Sequence, residues 1–405
     1  MTILKKFLIV VIGSAFAFLV GCGGSSSPKT ETTTPATPIT TTGNNVVPIT
    51  VNGGPITNFP YPDAAFTTVT VCVPGTTTCQ TIDGVLVDTG SSGLRIPSDI
   101  LTISLPQQMS GSNSVAECLQ FLDSYSWGPV QTADIQIAGE KASSVPVQVL
   151  SDTAFQVPGA CSSIGNDSDT AELLGANGIL GVGMLAQDCG PSTCPASANM
   201  YYGCASSTSA CQEINQGVAQ QVQNPVAMFA TDNNGVIVEL PAVSGGVEAS
   251  VSGSLVFGIG TQSNNGLENA TVYTVDSSNL NFTTIFNGQT FSEGSFLDSG
   301  SNGYFFPDSL IPVCSDNAGF YCPSSTDNLS ATNQGVSSGS GVVSFSVTNA
   351  DTLFNDDPSD NGFGDLGGPA SGYFDWGLPF FYGRNVYTAI LGASTPGGTG
   401  PYWAY

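Results

Sequence analysis

Two short and nearly identical segments carry the acidic residues best placed to do chemistry. Asp88 begins the run Asp-Thr-Gly-Ser-Ser-Gly, and Asp298, 210 positions later, begins Asp-Ser-Gly-Ser-Asn-Gly. In each copy apolar residues lead into the Asp, which is typical of a buried strand that ends in a tight turn. Two carboxyl groups held close together cannot both ionise, so one can act as a general base while the other keeps a proton. The repeat favours such a pair over two unrelated turn-capping aspartates.

The composition limits which other chemistries are open to the chain. It contains no histidine, which excludes a Ser–His–Asp triad, a Cys–His pair and a histidine-ligated metal site. Six basic residues against 31 acidic ones give a net charge of −25, so we expect no binding to nucleic acid. We expect neither a metal nor another cofactor, and carboxyl groups remain as the acid–base catalysts.

The same composition indicates the elements that must position the two Asp loops. Gly (49) and Pro (25) are abundant and charged residues make up only 9% of the chain, which suits short strands and tight turns. A hairpin is predicted before each Asp, from residues 68–73 with 80–87 and from 282–286 with 290–297. We therefore predict an all-β protein with two duplicated halves.

These motifs resemble those of pepsin-like aspartic proteases. The loops that begin at Asp88 and Asp298 are similar to the two catalytic loops of that family. Residues 177–183 and 377–387 resemble the segments that cross the two loops, and residues 254–258 resemble the strand that opens the second lobe. The resemblance implies a bilobal fold, with two β-barrel-like lobes and a central cleft. More narrowly, the chain resembles bacterial lipoproteins that have this fold.

The resemblance also implies a role for each residue of the two loops. Asp88 and Asp298 would be the catalytic dyad, which activates a water molecule against a peptide bond. The other loop residues would support the dyad in pairs: Thr89 and Ser299 through hydrogen bonds between the lobes, Ser91 and Ser301 through hydrogen bonds to the outer carboxylate oxygens, and Gly90 and Gly300 by permitting close approach.

Two regions depart from the family pattern. Arg95 stands where the family usually has an aromatic residue, and it could pair with a carboxylate or reach into the cleft. The family's flap hairpin carries a Tyr-Gly pair, whereas this chain has Tyr125 and Trp127 before Gly128 and Pro129. Either aromatic residue could be the flap residue, and either could equally be part of the packing of the hairpin.

From these features we predict a monomeric, membrane-anchored aspartic endopeptidase that binds extended polypeptide in the cleft. The alternative is a catalytically inactive binding or structural lipoprotein of the cell envelope with a protein partner in the cleft, because a fold does not determine a function. A retaining glycosidase also needs two close carboxyl groups, but the surrounding loops do not favour it.

The N-terminal sequence predicts export and lipid attachment. Lys5 and Lys6 precede an apolar stretch that is short for a membrane span, so residues 1–21 are predicted to be a lipoprotein signal peptide. The run Leu-Val-Gly-Cys that ends at Cys22 resembles the bacterial lipobox. This implies cleavage before Cys22 and acylation of its thiol, for example with palmitate. Gly23 at the next position implies sorting to the outer membrane, on its periplasmic face or at the cell surface.

Three further segments follow the signal peptide in the predicted domain organisation. Residues 22–48, rich in Ser, Thr and Pro, are predicted to be the lipidated Cys and a flexible tether. Residues 49–224 are predicted to form the first lobe, with Asp88, and residues 225–405 the second lobe, with Asp298.

Eleven cysteines fit a disulfide framework in an exported protein, and ten remain if Cys22 is acylated. Their spacing predicts that Cys72 pairs with Cys79 and Cys314 with Cys322, which leaves Cys118 to reach Cys161. The remaining cysteines crowd one stretch, where they could form disulfides or, less plausibly, bind zinc: Cys189, Cys194, Cys204 and Cys211.

Overall fold

The computed structural model describes residues 39–405 except 122–123, 151–152, 154, 164 and 207–209. The predicted signal peptide, Cys22 and the tether up to residue 38 therefore lie outside the described residues. None of the helices in the described part of the chain is long and apolar enough to cross a membrane.

Short strands make up most of the regular structure in the described residues. The first half of the chain contributes β1 (Val46–Val51), β2 (Ala65–Cys72), β3 (Cys79–Asp88), β4 (Ser92–Pro97), β5 (Met109–Ser110), β6 (Asn113–Gln120), β7 (Ser124–Ile137), β8 (Glu140–Leu150), β9 (Asn166–Asp167), β10 (Gly178–Val182), β11 (Tyr201–Cys204) and β12 (Gln212–Glu213). The second half contributes β13 (Gly235–Leu240), β14 (Val247–Glu248), β15 (Val251–Phe257), β16 (Val272–Thr274), β17 (Phe282–Phe286), β18 (Gln289–Leu297), β19 (Tyr304–Phe306), β20 (Asp327–Gln334), β21 (Ser340–Val347), β22 (Gly362–Phe363), β23 (Gly367–Pro369), β24 (Phe374–Trp376), β25 (Arg384–Ala389), β26 (Ser394–Thr395), β27 (Gly398–Thr399) and β28 (Tyr402–Ala404).

The helices among the described residues are short and lie in connections. They are α1 (Gly159–Ser162), α2 (Ala171–Leu174), α3 (Ala350–Asp356) and 3-10 turns at Ala196–Ala198, Val218–Gln220, Pro225–Met228, Ser244–Gly246 and Leu378–Phe381. Side-chain caps begin α2 and α3, where Thr170 and Asn349 accept hydrogen bonds from backbone amides. The prediction of an all-β fold is confirmed.

The largest sheet contains strands from both halves of the chain. β1 is antiparallel to β2 at Thr50 and antiparallel to β15 along its whole length. β1 begins at Val46, inside the segment predicted to be the tether, because its alternate residues Val47, Ile49 and Val51 are buried in the core. β1 thereby joins the two halves side by side in one sheet.

The two Asp loops occupy matching arrangements of strands. β3 leads into Asp88 and β4 follows it, while β10 lies parallel to β3 and antiparallel to β4. In the second half β18 leads into Asp298 and β19 follows, while β24 lies parallel to β18 and antiparallel to β19. This duplicated arrangement agrees with the predicted repeat.

The crossing segment of the second half begins earlier than residues 377–387, where the resemblance placed it. The crossing strand is β24, and the predicted segment instead forms Gly377, a 3-10 turn and most of β25. Pro379 explains the difference, because a residue without a backbone N–H cannot donate to a central ladder.

Five disulfides connect the described cysteines: Cys72–Cys79, Cys118–Cys161, Cys189–Cys194, Cys204–Cys211 and Cys314–Cys322. The three predicted pairs are confirmed, and the crowded four pair with their sequence neighbours. Their sulfurs are bonded to one another, so the zinc alternative is wrong.

Candidate active site

Asp88 and Asp298 meet where the two loops face each other. A Cβ atom on Gly90 would lie 2.7 Å from Cγ of Asp298, and one on Gly300 would lie 2.9 Å from Cγ of Asp88. The backbone of each loop thus packs directly against the carboxyl group of the other, which glycine alone permits. The two carboxyl groups thus lie side by side, close enough to interact electrostatically.

Each carboxyl group also accepts hydrogen bonds from its own loop. Oδ1 of Asp88 accepts from the amides of Gly90 (2.7 Å) and Ser91 (3.1 Å), and its Oδ2 accepts from the Ser91 hydroxyl. Asp298 accepts from the Gly300 amide (2.8 Å) and the Ser301 hydroxyl (2.9 Å). Hydrogen bonds to a carboxylate favour its ionised form, so the loop donors stabilise ionised Asp88 more than ionised Asp298.

The pKa of Asp298 also indicates that Asp298 is the member of the pair that keeps a proton. Burial raises the pKa of Asp298 to about 8, and the like charge of neighbouring Asp88 contributes to the rise. Two interacting carboxyl groups titrate as a unit. The pair therefore retains one shared proton in mildly acidic and neutral solution.

Reciprocal hydrogen bonds lock the two loops together beneath the dyad. The Thr89 hydroxyl donates to the Leu297 carbonyl (3.1 Å) and accepts from the Ser299 amide (3.0 Å). The Ser299 hydroxyl donates to the Val87 carbonyl (2.7 Å) and accepts from the Thr89 amide (3.1 Å). Thr89 and Ser299 are both buried, so these bonds are shielded from water. They fix the distance between the loops.

An aromatic core holds the second loop from behind. The Asp298 amide donates to the Trp376 carbonyl (3.1 Å), and the Leu378 amide donates to the Ser301 carbonyl (2.7 Å). The Trp376 ring stacks on Phe374 with 4.4 Å between centroids, and its Nε1 donates to the Thr284 hydroxyl (3.2 Å). The packing of β24 thus fixes the position of the second loop.

Arg95 is fully buried and pairs with carboxylates, which decides between its two predicted roles. Its Nη2 lies 3.1 Å from Oε1 of Glu117 and 3.0 Å from Oδ2 of Asp188. Its other nitrogens donate to the Ser92 carbonyl (2.8 Å) and to Oε1 of Gln148 (3.1 Å). Arg95 therefore ties β4, which follows the first Asp loop, to the hairpin strand β6.

The two candidate flap residues lie in different environments. Trp127 is only 1% exposed, packs edge-on against Tyr202 with 5.4 Å between centroids, and donates its Nε1 to the Phe155 carbonyl. Its side chain is part of the core. Tyr125 is half-buried near the tip of the same hairpin, so a flap role stays a prediction for Tyr125.

Sequence reasoning missed two residues beside the dyad. The Tyr61 hydroxyl donates to the Gly300 carbonyl (3.1 Å), and no sequence motif singles Tyr61 out. Asp375 is buried within β24, the strand that lies parallel to the one leading into Asp298. A signal for Asp375 existed, because an acidic residue inside an apolar strand segment is unusual.

The matched strand arrangements, the facing Asp loops and the hydrogen bonds between them define a protein with the fold of pepsin-like aspartic proteases. The chain belongs to the family described as "Protein of unknown function (DUF3443)", whose model matches residues 41–405. None of the curated proteins compared with the chain matches it. Among solved structures, the chain is similar to an aspartic proteinase from Irpex lacteus, with 15% sequence identity and a TM-score of 0.47 over 89% of this chain and 96% of that chain.

Proposed function

We propose that this chain is an aspartic endopeptidase in which Asp88 and Asp298 together hydrolyse peptide bonds. The observation that carries the proposal is the close approach of the two carboxyl groups, each packed against the glycine of the facing loop, between loops that Thr89 and Ser299 join by hydrogen bonds. A structural turn-capping role requires neither the contact between the carboxyl groups nor the shared proton.

The hydrogen-bond donors suggest that the two aspartates have different roles, one ionised and the other protonated. Asp88, with three donors from its own loop, would be the ionised member and would take a proton from a water molecule. Asp298 would carry the shared proton and donate it to the peptide carbonyl oxygen as the water oxygen bonds to the carbonyl carbon. The proton held by Asp88 would then pass to the leaving nitrogen as the C–N bond breaks, and a hydroxyl group of the intermediate would return a proton to Asp298.

The test is cleavage of a peptide library from pH 3 to 7, with and without a statine-type inhibitor. Asp88→Asn and Asp298→Asn should each lower turnover about 10²- to 10⁴-fold, because each removes one half of the acid–base pair. Asp83→Asn is the matched control, since Asp83 lies exposed on the same strand β3. It should leave turnover unchanged.

A wild-type chain that cleaves no peptide and binds no statine inhibitor would contradict the proposal. The inactive binding or structural module would then be the better description, and the two Asp loops would serve only to join the halves.

We also propose that the protein is anchored to the cell envelope through an acylated Cys22. The lipobox-like run supports this, and so does the pairing of the ten other cysteines, whose sulfurs are bonded to one another. Mass spectrometry of the N-terminal peptide should show an acylated Cys22 that is lost in Cys22→Ser. An unmodified Cys22 in the wild-type protein would contradict anchoring.

A further inference from the structure

One backbone hydrogen bond distinguishes the two otherwise matched Asp loops. In the first loop the Ser91 amide donates to Oδ1 of Asp88 at 3.1 Å. In the second loop the matching amide, that of Ser301, donates instead to the backbone carbonyl of Asp298 at 3.2 Å. The Asp298 carboxyl group therefore has one donor fewer from its own loop than the Asp88 carboxyl group. Both motifs contain the same kinds of donor, so the difference points to a contact outside the motifs.

Tyr61 makes such a contact with the second loop. Its hydroxyl donates to the Gly300 carbonyl at 3.1 Å, whereas none of the described residues donates to the carbonyl of Gly90, the matching residue of the first loop. The Gly300 carbonyl and the Ser301 amide belong to one planar peptide group, so a bond that fixes the direction of the carbonyl also fixes that of the N–H. With the carbonyl held by Tyr61, the N–H is directed at the backbone of Asp298 and not at its carboxyl group.

The fold fixes the position of Tyr61 from two sides. Its ring packs against Gly175, where an added Cβ would lie 3.3 Å from Cδ1 of the ring. Two residues later, the buried Asp63 accepts hydrogen bonds from the Phe363 amide and the Tyr382 hydroxyl, both at 2.7 Å. The segment 61–63 is thus attached to both halves of the chain, which places the Tyr61 hydroxyl on the second loop.

We propose that Tyr61 is a positioning residue that makes the two aspartates inequivalent: by holding the Gly300 carbonyl, it keeps the Ser301 amide away from the Asp298 carboxyl group. The inference rests on the proposed endopeptidase function for its catalytic meaning, but not for the effect on Asp298. Hydrogen bonds to a carboxylate favour its ionised form, so the missing donor makes Asp298 the member of the pair that keeps the proton. A single tyrosine outside both motifs thus assigns the acid and the base.

Tyr61→Phe tests the proposal, because it removes the hydroxyl and keeps the ring. The Ser301 amide can then turn to the Asp298 carboxyl group, as the Ser91 amide does at Asp88. An added donor makes ionisation easier, so the pair should lose its shared proton at a pH lower by about half to one unit. The alkaline limb of the turnover profile should move down by the same amount. The ¹³C carboxyl resonances of the two aspartates give the midpoint without any enzymatic activity.

Tyr387→Phe is the matched control. The Tyr387 hydroxyl also donates to a glycine carbonyl, that of Gly266 at 2.8 Å, but Tyr387 lies in an apolar cluster that contains no residue of either Asp loop. Its loss should leave the midpoint of the pair unchanged. An unchanged midpoint in Tyr61→Phe, or an equal shift in both variants, would overturn the proposal.

The wild-type protein provides a second measurement, which stands even if Tyr61→Phe does not fold. The ¹⁵N–¹H resonance of Ser91 should move as Asp88 ionises, because that amide donates to the carboxyl group. The Ser301 resonance should move far less as Asp298 ionises, and it should move as strongly as that of Ser91 in Tyr61→Phe. Equal movement of the two amides in the wild type would contradict the proposal. Absence of turnover alone would contradict the endopeptidase, and not the role of Tyr61.

Discussion

At the scale of single residues, the dyad depends on two positions that lack a side chain. Asp88 and Asp298 reach each other because Gly90 and Gly300 leave room for the facing carboxyl groups. A methyl group at either glycine would occupy space that a carboxyl group fills. Close packing transmits such a misfit to the backbone of both loops.

Gly90→Ala should destabilise the fold by about 1–3 kcal/mol and separate the two carboxyl groups, because the added Cβ would lie 2.7 Å from Cγ of Asp298. Gly159→Ala is the matched control, since a Cβ there meets nothing within 4 Å. That change should be neutral or stabilise by up to about 1 kcal/mol. Denaturant unfolding of both variants provides the measurement. Equal stabilities would show that the loops are not in close contact.

The two facing Asp loops and their hydroxyl groups could be singled out from the sequence because each motif is local and occurs twice. Asp375 was missed because β24 is far in sequence from the second Asp loop and comes to lie beside it only after pairing with β18. Tyr61 was missed for the same reason, since its bond to Gly300 spans 239 positions.

At the scale of elements, the buried Arg95 joins the strand after the first Asp loop to the hairpin that carries Tyr125. Glu117 on β6 and Asp188 share this one cation. The Tyr201 hydroxyl donates to Asp188 (2.6 Å). Burial raises the pKa of Asp188 well above its usual range, and the like charge of Glu117 adds to the rise.

Arg95→Met should destabilise the protein by about 3–5 kcal/mol at pH 8, because it leaves two buried carboxyl groups without a cation. The loss should be smaller at pH 4, because burial raises the pKa of Asp188 well above its usual range and Asp188 can then take up a proton. Thermal or denaturant unfolding at the two pH values measures both effects.

Lys141→Met is the control for the loss of a positive charge. Lys141 pairs with Asp134 at 3.0 Å, but its side chain is 50% exposed, so its removal should cost less than about 1 kcal/mol. Similar losses for Arg95→Met and Lys141→Met would contradict the structural role of the buried pair.

The hairpins before the two Asp residues were predictable, because alternating apolar residues flank clear turn residues in both. The start of β1 was not. β1 lies beside a composition typical of a flexible tether, and only its pairing with β15 determines where it begins. The resemblance placed the second crossing segment at residues 377–387, just after β24, although the apolar run itself begins at Phe374.

At the scale of the whole molecule, several buried carboxyl groups hold protons in the folded state. Burial raises the pKa of Asp63 and Asp375 well above the usual range. It also raises the pKa of Asp169 to about 8, with a further rise from Asp167. A raised folded-state pKa contributes stability that is complete below the unfolded value of about 3.9. That stability is lost as the pH rises through the folded-state pKa.

The free energy of unfolding should therefore fall between about pH 4 and pH 8. Repulsion within a chain of net charge −25 adds to the loss, so salt should stabilise the protein more at pH 8 than at pH 4. Melting temperatures across this range, at low and high salt, provide the check. A stability maximum near pH 8 that does not depend on salt would contradict the prediction.

The position of β1 also has a kinetic consequence. The Asn45 side chain bonds to the Phe257 carbonyl across 212 positions, and β1 pairs with β15 along its full length. Contacts between such distant residues form slowly, because a long loop must close first. Until β15 has paired with β1, the backbone N–H and C=O groups along one edge of β1 can pair with another strand. In a second copy of the chain, β15 can pair with β1 of the first copy. We therefore expect exchange of β1 between two chains to be the characteristic folding error of this architecture.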